Sequence, residues 1–78
     1  NSPDLRVARH LAALCHPLLS PHVGGVLRIP QQELSYMLGL SRQRVNEALT
    51  LLGAHGWLRV AYGGVRLLDL QALRHGQL

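Results

Sequence analysis

Hydrophobic positions near the start of the chain predict a first helix. They are Leu5, Ala8, Leu11, Ala12 and Cys15. Steps of three and four residues are typical of an amphipathic helix, and Ser2 or Asp4 is a suitable N-cap. Because Pro17 disfavours helical geometry at His16, the helix is expected to stop near Cys15 or His16. The segment from Pro17 to Gly25 holds two prolines and two glycines and is predicted to be a surface loop.

The middle of the chain predicts two short helices joined by a tight turn. Pro30 suits a first helical turn, so one helix is expected over residues 31–38, and Gly39 stands where a left-handed residue ends a helix. Its predicted buried side is Leu34, Met37 and Leu38. Ser41 is a suitable N-cap for the next helix, from Arg42 to about Leu52. In that helix the predicted core residues are Val45, Ala48, Leu49 and Leu52, and the predicted exposed residues are Gln43, Asn46, Glu47 and Thr50.

Alternating and β-prone runs predict a small sheet. Residues 26–29, between Gly25 and Pro30, predict only a brief strand. Two longer runs, 57–62 and 65–68, are separated by Gly63 and Gly64, which suit a type I′ hairpin turn. That turn places Tyr62 opposite Val65. The face expected to be apolar comprises Leu58, Val60, Tyr62, Val65 and Leu67, and the other face carries Arg59 and Arg66.

A last helix is predicted from Leu70 to His75, capped by Asp69 and ended by Gly76. The order of helix, strand, helix-turn-helix, hairpin and helix is that of a winged helix. We therefore expect a mainly helical α+β fold with a small antiparallel sheet, forming one domain over residues 1–78. Because the sequence opens almost directly into a helix pattern, it is interpreted as part of a longer protein.

Charge and composition narrow the expected chemistry. The chain has 78 residues with eight arginines, no lysine and four acidic residues, giving a net charge of +4. A small basic domain favours a polyanionic partner. Its single cysteine, Cys15, excludes an internal disulfide and any paired-cysteine zinc site, and the histidines lack metal-ligand spacing. No nucleophile elbow or apolar run of membrane-spanning length occurs, so a cytoplasmic protein without enzymatic activity, cofactor or membrane contact is expected. Trp57 and Tyr62 are interpreted as core residues rather than base-stacking ones.

Two stretches, 30–34 and 38–46, resemble the DNA-binding domain of the Crp/Fnr superfamily of transcription regulators. Residues 39–46, with the sequence GLSRQRVN, are the most specific part, and 51–58 and 69–70 are also similar. The resemblance implies double-stranded DNA as the partner and a homodimer in the complete protein, with RNA polymerase as a further candidate partner. It also implies an additional N-terminal domain that binds a cyclic nucleotide or another effector.

The same resemblance implies which residues contact DNA. The resemblance assigns Arg42 and Gln43 to base edges, and Asn46 and Glu47 on the same exposed face are further candidates for base contacts. Phosphate contacts are assigned to Gln31, Gln32, Ser41 and Arg44. Independently of the family, the guanidinium of Arg42 suits guanine O6 and N7, and the amide of Gln43 suits adenine.

Two positions depart from the pattern of the best-studied family members. They have glutamate where this chain has Gln43 and arginine where it has Glu47. Glu47 could accept a hydrogen bond from a cytosine amine, or it could neutralise Arg44 three residues earlier. The family's usual operator is therefore not expected to apply to this chain.

The hairpin is expected to act as a wing beside the phosphate backbone. Gly63 and Gly64 would offer backbone N–H groups there, and Arg59 and Arg66 would supply positive charge. The alternative is a winged helix that docks on protein through the same exposed helix face. The charge at the start of that helix favours DNA.

Overall fold

A computed structural model describes residues 2–14 and 26–78 of the chain. Its elements are α1 (Pro3–Leu14), β1 (Val26–Leu27), α2 (Gln31–Leu38), α3 (Arg42–Ala54), β2 (Leu58–Ala61), β3 (Gly64–Leu67) and α4 (Leu70–His75). This order confirms the predicted winged α+β architecture. The predicted loop 17–25 and the proposed end of α1 near Cys15 or His16 lie outside the described residues.

A single apolar core joins the helices to one face of the sheet. It contains Val7, Ala8, Leu11, Ala12, Leu34, Val45, Ala48, Leu49, Leu52, Trp57, Leu58, Val65, Leu67 and Leu73. Helix α3 supplies the four residues that its periodicity predicts, and α1 packs against both α3 and α4. Trp57 is in the core as predicted, with 9% of its surface exposed. The buried face of α3 thus fixes which of its sides remains open to solvent.

The turn between α2 and α3 forms as its residue types require. Gly39 adopts a φ of 67° and donates its backbone N–H to the carbonyl of Ser35, which also accepts from Leu40 at 3.1 Å. That φ suits glycine because a Cβ is strained there. The side chain of Ser41 accepts from the backbone N–H of Arg44 at 3.0 Å, which confirms the predicted N-cap. Helix α3 ends at Ala54 rather than near Leu52.

On α2 the prediction that Met37 is buried is wrong. Leu34 is fully buried and Leu38 packs against the core, but Met37 is 45% exposed. Leu34 and Leu38 are four residues apart and form one narrow stripe. Since this short helix packs chiefly on α3, that stripe is all it buries.

The sheet has the order β1, β3, β2, and its hairpin turn differs from the predicted one. Ala61 pairs with Gly64 and Val60 with Val65, so the turn residues are Tyr62 and Gly63. A type I′ turn needs a positive φ at both central residues. Only Gly63, at 72°, has one. The predicted Gly63-Gly64 turn is therefore wrong by one residue.

Packing against β1 explains the register. A Cβ on Gly64 would collide with the carbonyl oxygen of Leu27 and would lie 2.9 Å from Cγ1 of Val26. Gly64 is thus required inside β3, where it is buried, and cannot also form the tip. In consequence Tyr62 is fully exposed instead of sharing the core face. Val60 keeps its predicted face of the hairpin but is half exposed rather than buried.

Helix α4 is held at both ends. Asp69 accepts from the backbone N–H of Ala72 at 3.0 Å, as predicted for its cap. At the other end Gly76 has a φ of −64°, so it is not left-handed. A Cβ there would meet the Ala72 carbonyl oxygen at 2.5 Å and the Trp57 ring at 2.6 Å. The helix ends because the backbone turns extended at Gly76, and glycine is required there because a Cβ would have no space.

Candidate nucleic-acid interface

The solvent side of α3 presents the four side chains that the sequence assigns to base edges. Each of Arg42, Gln43, Asn46 and Glu47 is exposed. They point away from the core because Val45, Ala48, Leu49 and Leu52 occupy the opposite side of the helix. The buried side of α3 fixes the helix in the domain, so the polar strip formed by these four exposed side chains can enter a groove without disturbing the fold.

Arg42 lies between two clefts. One, of ≈ 640 Å³, is lined by Pro30, Gln32, Glu33, Ser35 and Tyr36 together with Arg42. The other, of ≈ 300 Å³, lies towards the hairpin, and its lining includes Arg42, Gln31 and Gly63. The start of α2, the first turn of α3 and the hairpin tip therefore meet around Arg42.

Gln31 and Asn46 link the two helices of this surface. The Nδ2 group of Asn46 donates to Oε1 of Gln31 at 3.4 Å. The sequence assigns Gln31 to the DNA backbone and Asn46 to a base edge. Their contact brings a backbone-side residue and a base-side residue together at one edge of α3, and Gln32 is exposed next to them.

Arg44 is engaged with two carboxylates. Its Nη2 lies 3.0 Å from Oδ1 of Asp4, and its Nη1 lies 3.5 Å from Oε1 of Glu47. The hydrogen bond to Asp4, together with the charges of both carboxylates, raises the pKa of Arg44 above its usual value although partial burial opposes this. Of the two roles considered for Glu47, the structure displays the pairing with Arg44.

The wing presents a different tip from the expected one. Gly63 is exposed and lies in the turn, whereas Gly64 is buried inside β3. The predicted pair of backbone donors at the tip thus reduces to Gly63, with Tyr62 beside it. Arg59 and Arg66 are directly opposite each other in the register, so they share the outer face of the sheet as predicted.

The sequence reading missed Arg28 as a candidate contact. It follows β1, is exposed, and its Cα lies 3.1 Å from the position that a Gly64 Cβ would take. This places a third arginine beside the hairpin. The pairing of β1 with β3 joins residues about 40 positions apart, and no local pattern predicts such a pairing.

Two other kinds of site, a metal centre and a membrane-spanning helix, have no supporting feature among residues 2–14 and 26–78. Within them, no group of three or more histidine, cysteine, aspartate or glutamate side chains is arranged to hold a metal ion. No helix in the same ranges has the length and hydropathy needed to cross a membrane.

Comparison with known protein families gives a match over most of the chain. A family model described as a Crp-like helix-turn-helix domain matches residues 5–75, a stretch that includes both helices of the turn and the hairpin. No curated protein and no solved structure matches the chain.

Proposed function

Since the chain belongs to the Crp-like helix-turn-helix family, we propose that it binds double-stranded DNA in a sequence-specific manner as part of a transcription regulator. Helix α3 would enter the major groove, and α2 would lie across the backbone. One observation carries the proposal. The first turn of α3 places the exposed Arg42 where the start of α2 and the hairpin converge.

Base reading is assigned to the exposed side of α3. Arg42 would donate two hydrogen bonds to guanine O6 and N7, and Gln43 would make the equivalent pair with adenine. Asn46 and Glu47 lie one turn further along the helix and complete the reading surface. In the free protein Asn46 is held by Gln31 and Glu47 by Arg44, so each exchanges a partner on binding.

Backbone contacts would come from the elements around that surface. Ser41 stands at the positive end of α3, where helix geometry favours a phosphate, and Gln31 and Gln32 begin α2. Gly63 offers a backbone N–H at the wing tip. The cations of the sheet, namely Arg28, Arg59 and Arg66, would add a contribution that does not depend on base sequence.

The complete regulator is proposed to be a homodimer on a near-palindromic site. Two copies of α3 would then enter successive major grooves about 34 Å apart. A single copy of this domain would bind weakly, because it lacks the gain from a second half-site. RNA polymerase is the further proposed partner, and a cyclic nucleotide or another effector would act through a separate segment of the regulator.

Selection of bound duplexes from a random pool tests the proposal. We expect one recurring sequence, and an affinity that falls as salt rises because phosphate contacts release counterions. A pool that stays random would contradict sequence-specific reading. Affinity for DNA that does not respond to salt would favour the protein-docking alternative instead.

A further inference from the structure

Asp4 joins the start of α1 to the first turn of α3. Its Oδ1 accepts from Arg44 at 3.0 Å, and only 15% of its side chain is exposed. Its Oδ2 accepts from the hydroxyl of Ser2 at 3.2 Å, and the backbone N–H of Asp4 donates back to Ser2. The carboxylate is therefore held at both oxygens and aimed at Arg44.

The surroundings of Arg44 are unusual for a residue assigned to phosphate. Both terminal nitrogens face carboxylates, with Glu47 opposite the second one at 3.5 Å. Two carboxylates and one guanidinium leave this cluster with a net charge of −1. It lies at the start of α3, where the partial positive charge of a helix attracts phosphate.

We propose that Asp4 holds Arg44 in the free protein as a DNA phosphate would, and that the DNA backbone displaces it on binding. The inference rests on the proposed function. Carboxylate and phosphate oxygens both accept charged hydrogen bonds from a guanidinium, so Oδ1 of Asp4 competes with a phosphate oxygen for the same donor. Asp4 therefore lowers affinity for all sequences alike and leaves base preference to Arg42 and Gln43.

The test is a double-mutant cycle on duplex affinity, measured by fluorescence anisotropy at several salt concentrations. Asp4→Asn keeps the shape of the side chain and removes its charge. We expect binding to tighten by about 1.4- to fivefold, the range that surface ion pairs span. The slope of log affinity against log salt should stay the same, because Arg44 contacts the phosphate in both complexes. Base preference should stay the same.

Two comparisons separate competition from a general charge effect. Glu33→Gln removes the same charge from the exposed side of α2, and its gain in affinity should be smaller than that of Asp4→Asn. Arg44→Gln should weaken binding more in the Asp4→Asn background than in the wild type, since in the wild type the lost phosphate contact is partly offset by an Asp4–Arg44 ion pair that no longer has to be broken. Asp4→Ser serves as a second charge-removing variant if Asp4→Asn does not fold, as judged by its melting curve.

Three outcomes would overturn the proposal, and a fourth would overturn the proposed function. Weaker binding or altered base preference in Asp4→Asn would mean that Asp4 positions Arg44 for DNA, and would overturn the proposal. Equal losses from Arg44→Gln in both backgrounds would overturn it too, as would an equal gain from Glu33→Gln. A wild-type chain that binds no duplex would instead overturn the proposed function itself.

Discussion

The arginines of α1 and those of the sheet differ in what their guanidinium groups contact. Arg6 donates to the carbonyl of Leu38 at 2.8 Å, at the end of α2. Arg9 donates to the last carbonyls of α4, at 3.0 Å to Leu73 and 2.8 Å to Gly76. Arg59 instead stands exposed on the sheet, and Arg28 stands exposed directly after β1.

This difference shows that net charge overstates the surface available to a polyanion. The cations of α1 close the C-termini of two other helices, where basic side chains satisfy free carbonyls. The sheet places Arg59 directly opposite Arg66, although like charges in that position are destabilising.

The largest effect is expected on stability, from a substitution in α1. Arg9→Met keeps the apolar stem but removes both donors to the end of α4. The two hydrogen bonds to this charged group contribute about 1.5–3 kcal/mol each. Because Arg9 is only partly buried, solvent screening lowers their sum, and the free energy of unfolding should fall by about 2–4 kcal/mol. Urea denaturation measures this. An unchanged midpoint would show that the clamp on α4 does not contribute to stability.

Arg42→Ala should leave stability almost unchanged and instead weaken the discrimination between base pairs. Because Arg42 is exposed, its removal should change unfolding free energy by less than about 0.5 kcal/mol. Discrimination at one base pair should fall by about 1–3 kcal/mol. Competition binding with duplexes that differ at single positions measures this loss, with Arg74→Ala, an exposed arginine of α4, as the charge-matched control. Selectivity that survives in Arg42→Ala would contradict its assignment.

Arg6→Met should cost less stability than Arg9→Met, since one hydrogen bond at an exposed position is lost instead of two. A loss of about 1 kcal/mol is expected. Thermal unfolding of the two variants side by side gives the ranking. If Arg6→Met proved the more damaging, the junction of α2 and α3 rather than α4 would be the point at which α1 stabilises the fold.

The smallest effect is expected on DNA affinity, from a substitution of Arg59 on the sheet. Arg59→Ala should weaken binding to the same degree on every duplex and flatten the salt slope by about 0.9, the value for one phosphate contact. Titrations of one selected and one scrambled duplex at four salt concentrations would show both features. A loss confined to the selected duplex would mean that Arg59 reads sequence.

The sequence predicted those parts of the fold that depend on nearby residues. Residues 31–38 and the caps Ser41 and Asp69 follow from signals within a few positions, and each lies where predicted. The exposed face of α3 also follows from its periodicity. The exposure of the candidate base-reading strip is therefore a property that local sequence is sufficient to predict.

The features that the sequence did not predict depend on contacts between residues that are distant in sequence. The position of the hairpin turn is set by the approach of Leu27 to Gly64, and this approach moved Tyr62 from the expected core to the tip. Arg9 reaches partners 64 and 67 residues away, and Arg44 meets Asp4 across the domain. Local patterns identify such arginines only as positive charge, so their separate roles required the folded chain.

The packing of Gly76 against Trp57 gives the protein an optical reporter of its own. Trp57 is the single tryptophan of the chain, and its indole ring sits in the core beneath the end of α4. Loosening that end would admit water to the ring and shift its fluorescence emission to longer wavelength. The detachment of α4 could thus be followed in real time without attaching a dye.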